Sequence, residues 1–221
     1  MTYIKFANVC LKGDGKNILN NVSFDIEKND VCLIVSPSLS GILNIIATDL
    51  NTFTGVVLVD DVLINSLNKK DRKLYMKKIA RIHPDNDLIK NLTIYENIYL
   101  SCEINKNTNK VSYYINKLGL SKKQHMYPAQ LKEFDIQKAK LAMMLAKKAD
   151  IVLYDGIDLL QKNQRIKILN VLQNVSKNDK VTVFIESKTN ELSKGCNKVI
   201  TIKNGEAKIK INKKPKKAGD L

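Results

Sequence analysis

The residues Val31–Ile46, VCLIVSPSLSGILNII, set the frame for the whole chain. Val31 to Val35 are uniformly apolar and read as a strand buried on both faces, followed by a Ser-rich turn and the apolar start of a helix. Strand, small-residue loop and helix N-terminus, in that order, form the layout that cradles phosphate, because backbone N–H groups converge on an anion there. The working pattern is G-x-x-x-x-G-K-[ST]. Its slots are filled here by Ser36, Pro37, Ser38, Leu39, Ser40, Gly41, Ile42 and Leu43. Gly41 keeps the second glycine, and Ser36 replaces the first. The lysine that neutralises phosphate charge is Ile42, and the hydroxyl that binds magnesium is Leu43. The frame of a nucleotide site is present and its charge is missing.

Around this segment, apolar strands alternate with helical stretches. Tyr3–Val9, Asn21–Ile26 and Val56–Val62 read as early strands, and a helix is expected from Ile42 through Leu50. A Lys-rich surface helix is expected near Lys70, then a short strand at Ala80–His83. Thr93 followed by Glu96 is a capping box that opens a helix. Further helices are expected at Val111–Leu118, Asp135–Leu145 and Gln164–Val175, with buried strands at Ile151–Tyr154 and Val181–Ile185. Asn204-Gly205 between two apolar runs is a hairpin signal. The pattern implies an α/β fold with a mostly parallel sheet flanked by helices, an antiparallel β layer that takes in the final hairpin, and a helical subdomain. Residues 1–212 are expected to form a single domain, with the helical part at about 88–145 and a basic, disordered tail at 213–221.

The chain has 221 residues, enough for a sizeable core, and no apolar run near the ~20 residues that span a bilayer. MTYIKFANV does not read as a signal peptide. Cys10, Cys32, Cys102 and Cys196 lack disulfide or metal spacing, which favours reduced thiols. The formal net charge of +15 comes mostly from lysines spread along the chain. Lys208, Lys210, Lys213, Lys214, Lys216 and Lys217 concentrate near the end, as a solvated tail first and a contact for anionic lipid second. No base-reading motif accompanies the charge, so nucleic acid is not expected as a partner.

The segments ILNNVSFDI, FTGVVLVDDVLINSLNKKDRKLYMKKIARI, LIKNLTIYENIYL, YPAQLKEFDIQKAKLAMMLAKKADIVLYD and GCNKVITIKNGE resemble, in order and spacing, the ATP-binding subunits of ABC transporters. The resemblance covers nearly the whole chain, and it is to the group that serves macrolide-export, lipoprotein-release or cell-division type membrane subunits. It implies an ABC-type nucleotide-binding domain at the cytoplasmic face of the cell membrane, partnered by a membrane-spanning subunit and working as a homodimer or heterodimer.

Aligned on that resemblance, the functional positions are altered. Ser36, Ser38, Ser40, Gly41, Ile42 and Leu43 form a vestigial nucleotide loop. The Gln-loop glutamine is Pro84, and the signature LSGGQ is Leu131, Lys132, Glu133, Phe134 and Asp135. Walker B keeps Asp155, but the water-polarising carboxylate is Gly156, and Leu159 to Lys162 stand where the D-loop would be. The switch histidine is Lys188. Each lost catalytic group of this kind is typically worth roughly 10²–10⁴ in rate. Glu133 and Asp135 are expected to face a partner's γ-phosphate with like charge.

No catalytic residue is therefore assigned, and no cofactor is expected beyond weak ATP and magnesium binding. Asp155 is the single candidate metal ligand, although without a hydroxyl at Leu43 a local hydrogen bond is its favoured role. His83 and His125 are read as packing or surface residues. The favoured function is a catalytically degenerate subunit acting as a structural or regulatory scaffold under the membrane subunit. The alternative is one half of a heterodimer whose active partner hydrolyses ATP, and a basic nucleic-acid-binding protein stands third.

Overall fold

Strict side-chain alternation along the central strands sorts the chain into two cores. The computed structural model describes residues 2–38, 40–83, 88–212 and 215. Among these, the first half of the chain gives β1 (Thr2–Gly13), β2 (Lys16–Glu27), β3 (Val31–Val35), α1 (Ile42–Ile46), β4 (Phe53–Val59), β5 (Val62–Leu63), α2 (Lys69–Lys77) and β6 (Ile79–Ile82). The second half gives α3 (Ile94–Ile104), α4 (Val111–Lys117), α5 (Glu133–Ala146), β7 (Ile151–Tyr154), α6 (Lys162–Asp179), β8 (Thr182–Ser187), β9 (Lys198–Lys203) and β10 (Glu206–Ile211).

The larger sheet runs in the order β10-β9-β3-β8-β7-β6, parallel throughout except for the β9–β10 hairpin. Successive strand residues point to opposite faces, so a strand covered on both sides must be apolar at every position. In β3, Val31, Leu33 and Val35 enter one core while Cys32 and Ile34 enter the other. Val152 and Tyr154 of β7 and Val183 and Ile185 of β8 join the first core, which α3 to α6 cover. Ile151, Leu153 and Phe184 join the second, which is closed by α1, by Tyr75 of α2 and by the four-stranded layer β2-β1-β4-β5. Within that layer Phe6 stands opposite Phe24, with ring centroids 4.4 Å apart.

The expected α/β fold is observed, with two corrections. The final hairpin does not belong to the antiparallel layer; β9 pairs in parallel with β3 and extends the large sheet. The helix after the loop ends at Ile46 instead of reaching Leu50, because Thr48 turns left-handed at φ 60°. Arg72 of α2 holds that turn, its Nε donating to Thr48 Oγ1 at 3.0 Å. Lys208 and Lys210 stand on the edge strand β10, the second strand of the expected hairpin. Lys213, Lys214, Lys216 and Lys217 lie outside the described residues.

The capping box is present as expected: Thr93 Oγ1 accepts from the Glu96 N–H at 3.2 Å, and Glu96 Oε2 accepts from the Thr93 N–H at 2.7 Å. One turn on, Asn97 is fully buried and pins the loop in front of α3. Its Oδ1 accepts from the Ile89 N–H at 2.7 Å, and its Nδ2 reaches the carbonyls of Ile89, Leu92 and Thr93. Asn97→Ala takes the partner from the Ile89 N–H and the Leu92 carbonyl, while the Ile89 and Thr93 carbonyls keep the N–H groups of Leu92 and of residue 97. It is expected to cost about 1–3 kcal/mol, read as a lower thermal midpoint together with faster amide exchange confined to residues 89–97.

Candidate functional site

In a parallel sheet, the strand ends at the carboxyl edge gather the groups that can meet a ligand. The ends of β3, β6, β7 and β8 place the Ser36–Gly41 loop, His83, Asp155 and the segment Glu186–Lys188 along one edge. The Ser36 N–H donates to the Ser187 carbonyl at 3.0 Å and carries the β3–β8 pairing into the loop. Gly41 caps α1 at φ 75°, its carbonyl accepting from Ile45 N–H at 2.9 Å. A side chain at Gly41 would be strained by that backbone, and its Cβ would come within 2.5 Å of Leu11 Cδ2. Gly41 is therefore needed for the path of the loop whether or not an anion binds.

Ile42 and Leu43 are sealed into the second core, 0% and 1% exposed. The expected apolar bulk is present, and it serves as packing beneath the loop. Ser36 and Ser40 are buried, Ser38 is exposed, and Leu39 and Pro84 lie outside the described residues. Ser40 Oγ accepts from the Ile42 N–H at 3.2 Å, while the Ser40 N–H donates to Glu186 Oε1 at 2.7 Å.

Strand parity explains the presence of Glu186, which sequence reading passed over. Phe184 of β8 faces the core beneath α1, and Glu186, two residues on, faces the same way. Arg81 of β6 lies between Ala80 and Ile82, both of the first core, and so points to the α1 side as well. Its guanidinium donates to Asp49 Oδ2 at 2.5 Å and to Asn44 Oδ1 at 2.6 Å. Together with Leu50 and His83, these residues line a groove of about 340 Å³ beside the loop.

Burial pushes the Glu186 carboxyl above the usual range, and Asp155 adds to the rise; hydrogen bonds from Ser40 and the Arg81 charge oppose it. Asp155 is raised as well, chiefly by burial, against the pull of His83, Arg81 and the Gly156 N–H. His83 Nε2 lies 3.6 Å from Asp155 Oδ2, so the histidine read as a surface or packing residue stands in this edge cluster. The Gly156 N–H helps hold the Asp155 carboxyl down, and the Asp155 N–H donates to the Ile82 carbonyl at 2.9 Å. Among the described residues no group of three metal-ligating side chains gathers.

Gly156 adopts φ 107°, a conformation in which any side chain is strained, so the backbone itself disfavours a carboxylate there. Asp158 is a second residue that sequence reading missed. Its two carboxylate oxygens accept from Ser187 Oγ and the Lys188 N–H, each at 2.7 Å, and fix the turn that carries Lys188.

On the far side of the core, Leu131 and Lys132 are extended and lead into α5. Asp135 does not present a free charge to a partner. It is bonded by Lys123 Nζ and lies 2.8 Å from Lys138 Nζ. Burial raises its carboxyl, but the hydrogen bonds from the two lysines prevail and hold it below the usual range. Lys138 also sits over the Phe134 ring, 5.0 Å from its centroid. Glu133 accepts from Gln137 Nε2 at 2.7 Å, and Gln137 Oε1 accepts from the buried Tyr154 hydroxyl at 2.9 Å. This chain of bonds couples the start of α5 to the end of β7.

A family model described as "ABC transporter" matches residues 19–158. The chain belongs to the ABC transporter family. The methionine import ATP-binding protein MetN of Helicobacter pylori (strain HPAG1) is 27% identical over 203 residues, covering 87% of this chain and 62% of the relative. The phosphonates import ATP-binding protein PhnC of Fusobacterium nucleatum is 25% identical over 224 residues, covering 93% and 90%. The chain thus spans only about three fifths of that methionine import relative. Among solved structures, the ATP-binding cassette MJ0796 in a dimeric post-hydrolysis state with ADP and Pi superposes at a TM-score of 0.79 and 22% identity, covering 94% of this chain and 98% of that one. The cbiO1 protein of Clostridium perfringens, part of the cbiONQ transporter complex, gives 0.84 and 16%, covering 96% and 88%. These two likenesses bear on the fold.

Ile42, directly after Gly41, is a core isoleucine. Ile42→Lys is expected to destabilise the protein by roughly 3–5 kcal/mol, because it buries an unpaired charge. A denaturant titration reads that loss, and unchanged stability would contradict the packing described. Glu186→Gln has the opposite sign. A carboxyl whose folded pKa is raised contributes favourably below its unfolded pKa, and that contribution is lost as pH rises through the folded value. At pH 8 the amide variant is therefore expected to melt above the unsubstituted chain, and the gap should close as the pH is lowered toward 4.

Proposed function

We propose that this chain is a catalytically degenerate ATP-binding subunit of a membrane ABC transporter-like complex, acting as a structural or regulatory scaffold. The observation that carries the reading is the burial of Ile42 and Leu43 directly after Gly41. Phosphoryl transfer depends on positioning and on neutralising charge. The loop offers neither a cation nor a hydroxyl at these two positions, and Gly156 supplies no carboxylate to polarise water. The vestigial signature, Leu131 to Asp135, contributes two acidic side chains already bonded within the chain.

In this reading the subunit sits peripherally at the cytoplasmic face, under a membrane-spanning subunit, and pairs with itself or with another ATP-binding subunit. No helix among the described residues is long and apolar enough to cross a membrane. Residues 1–212 act as one domain with a helical part at about 88–145, and the membrane subunit docks around Pro84–Leu92, of which residues 84–87 lie outside the described residues. The basic end contacts anionic lipid, and ATP or magnesium binds weakly at most. The finer resemblance to the macrolide-export, lipoprotein-release and cell-division group rests on the quoted sequence segments, whereas the relatives named above carry import names.

The second reading is a heterodimer with an active partner; Leu159, 55% exposed, offers an apolar contact to another chain in either reading. Purified chain is expected to show no ATP turnover above background in a phosphate-release assay. Robust turnover that Asp155→Ala abolishes would overturn the scaffold reading. Co-purification from native membranes that brings only copies of this chain with a membrane protein would exclude the heterodimer with an active partner.

A further inference from the structure

We infer that Glu186 is an internal ligand of the Ser36–Gly41 loop, an autoinhibitory carboxylate that occupies the hydrogen-bonding position a phosphate oxygen would need. The inference rests on the reading of this loop as a disarmed phosphate site and states what fills it instead. Ser40 N–H and Glu186 Oε1 are 2.7 Å apart, joined across 146 positions of sequence. Both residues are buried, Ser40 at 1% and Glu186 at 7% exposed. The Ser40 hydroxyl bonds the same carboxylate while accepting from the Ile42 N–H, so the loop's backbone and side chain converge on one acceptor. This is how a nest of N–H and O–H groups treats an anion, and here the anion is covalently part of the protein.

The surroundings support the assignment. Glu186 is a charged residue in a strand whose six positions are all buried, so it would be costly there unless it made a contact the loop requires. Its compensation comes from Ser40 and from the field of Arg81, whose guanidinium is itself bonded by Asp49 and Asn44. A phosphate reaching for the Ser40 N–H would meet the Glu186 carboxylate, with Asp155 adding negative charge nearby. With no cation at Ile42 to offset this, like-charge repulsion keeps the loop closed to phosphate. The contact also removes the need for nucleotide to order the loop, a requirement that a scaffold would otherwise have to meet at all times.

The test uses the full chain with inorganic tripolyphosphate as probe at pH 8, by titration calorimetry, alongside hydrogen exchange at the Ser40 amide. The unsubstituted chain should show no saturable binding at millimolar probe, with a protected Ser40 amide. Glu186→Ala should speed Ser40 exchange at least tenfold while leaving the β3 amides unchanged, and should bind tripolyphosphate at least tenfold more tightly. Glu186→Gln keeps the acceptor oxygen and removes the charge, so it should gain affinity while retaining most of the protection. Affinities no better than that of the unsubstituted chain in both variants overturn the inference, and so does rapid Ser40 exchange in the unsubstituted chain, even where a variant does not fold. ATP turnover by the unsubstituted chain sinks the scaffold reading, whereas an inert chain whose variants gain no affinity sinks only this inference.

Discussion

Burial of the parallel sheet on both faces is the constraint from which the rest follows. Each residue of β3, β7 and β8 is committed to one of two cores by its parity along the strand, and a one-residue slip would exchange the two faces. That commitment fixes where the strands end, and the strand ends place the loop, Asp155 and the Glu186–Lys188 turn along one edge. It also decides which polar residues near those ends face one another. Arg81 and Glu186 lie 105 positions apart in sequence but share a face, because each follows its neighbours' alternation.

The carboxyl edge of the large sheet is organised by internal bonds. Gly41 keeps the turn open, Ile42 and Leu43 lock the start of α1 into the core, and Glu186 takes the loop amide. Asp158 holds the Ser187–Lys188 turn, and Asp135 holds the start of α5 through two lysines. In each case the side chains satisfy local packing or hydrogen bonding. Ser40, Glu186, Asp158 and Asp135 thus find partners within the chain, while Arg81 Nε is buried without a hydrogen-bond partner.

Legibility followed the range of the interactions involved. The strand at Ile151–Tyr154 and the Thr93–Glu96 capping box were readable because a run of four to six residues contains all of their physics. The strand–loop–helix order around Gly41 was readable too, since Val31–Val35 and the apolar start of α1 are local patterns. The helix end at Ile46 was not, because the turn at Thr48 is held by Arg72 from another element. Nor was the destination of the final hairpin. Asn204-Gly205 specifies the turn, while pairing with β3 depends on strand ends brought together across the whole chain.

By itself the sequence determined the α/β class and the strand–loop–helix frame around Gly41, because composition and short periodicities carry those facts. Only the tertiary structure decided which side chains meet along the sheet edge. The Glu186–Ser40 bond, the approach of His83 to Asp155 and the pairing of Asp135 with Lys123 join residues that no local pattern links. Such contacts exist because the two cores fix the faces of separate strands and helices, and a charge brought to a buried strand end must find a partner there or give up its ionisation.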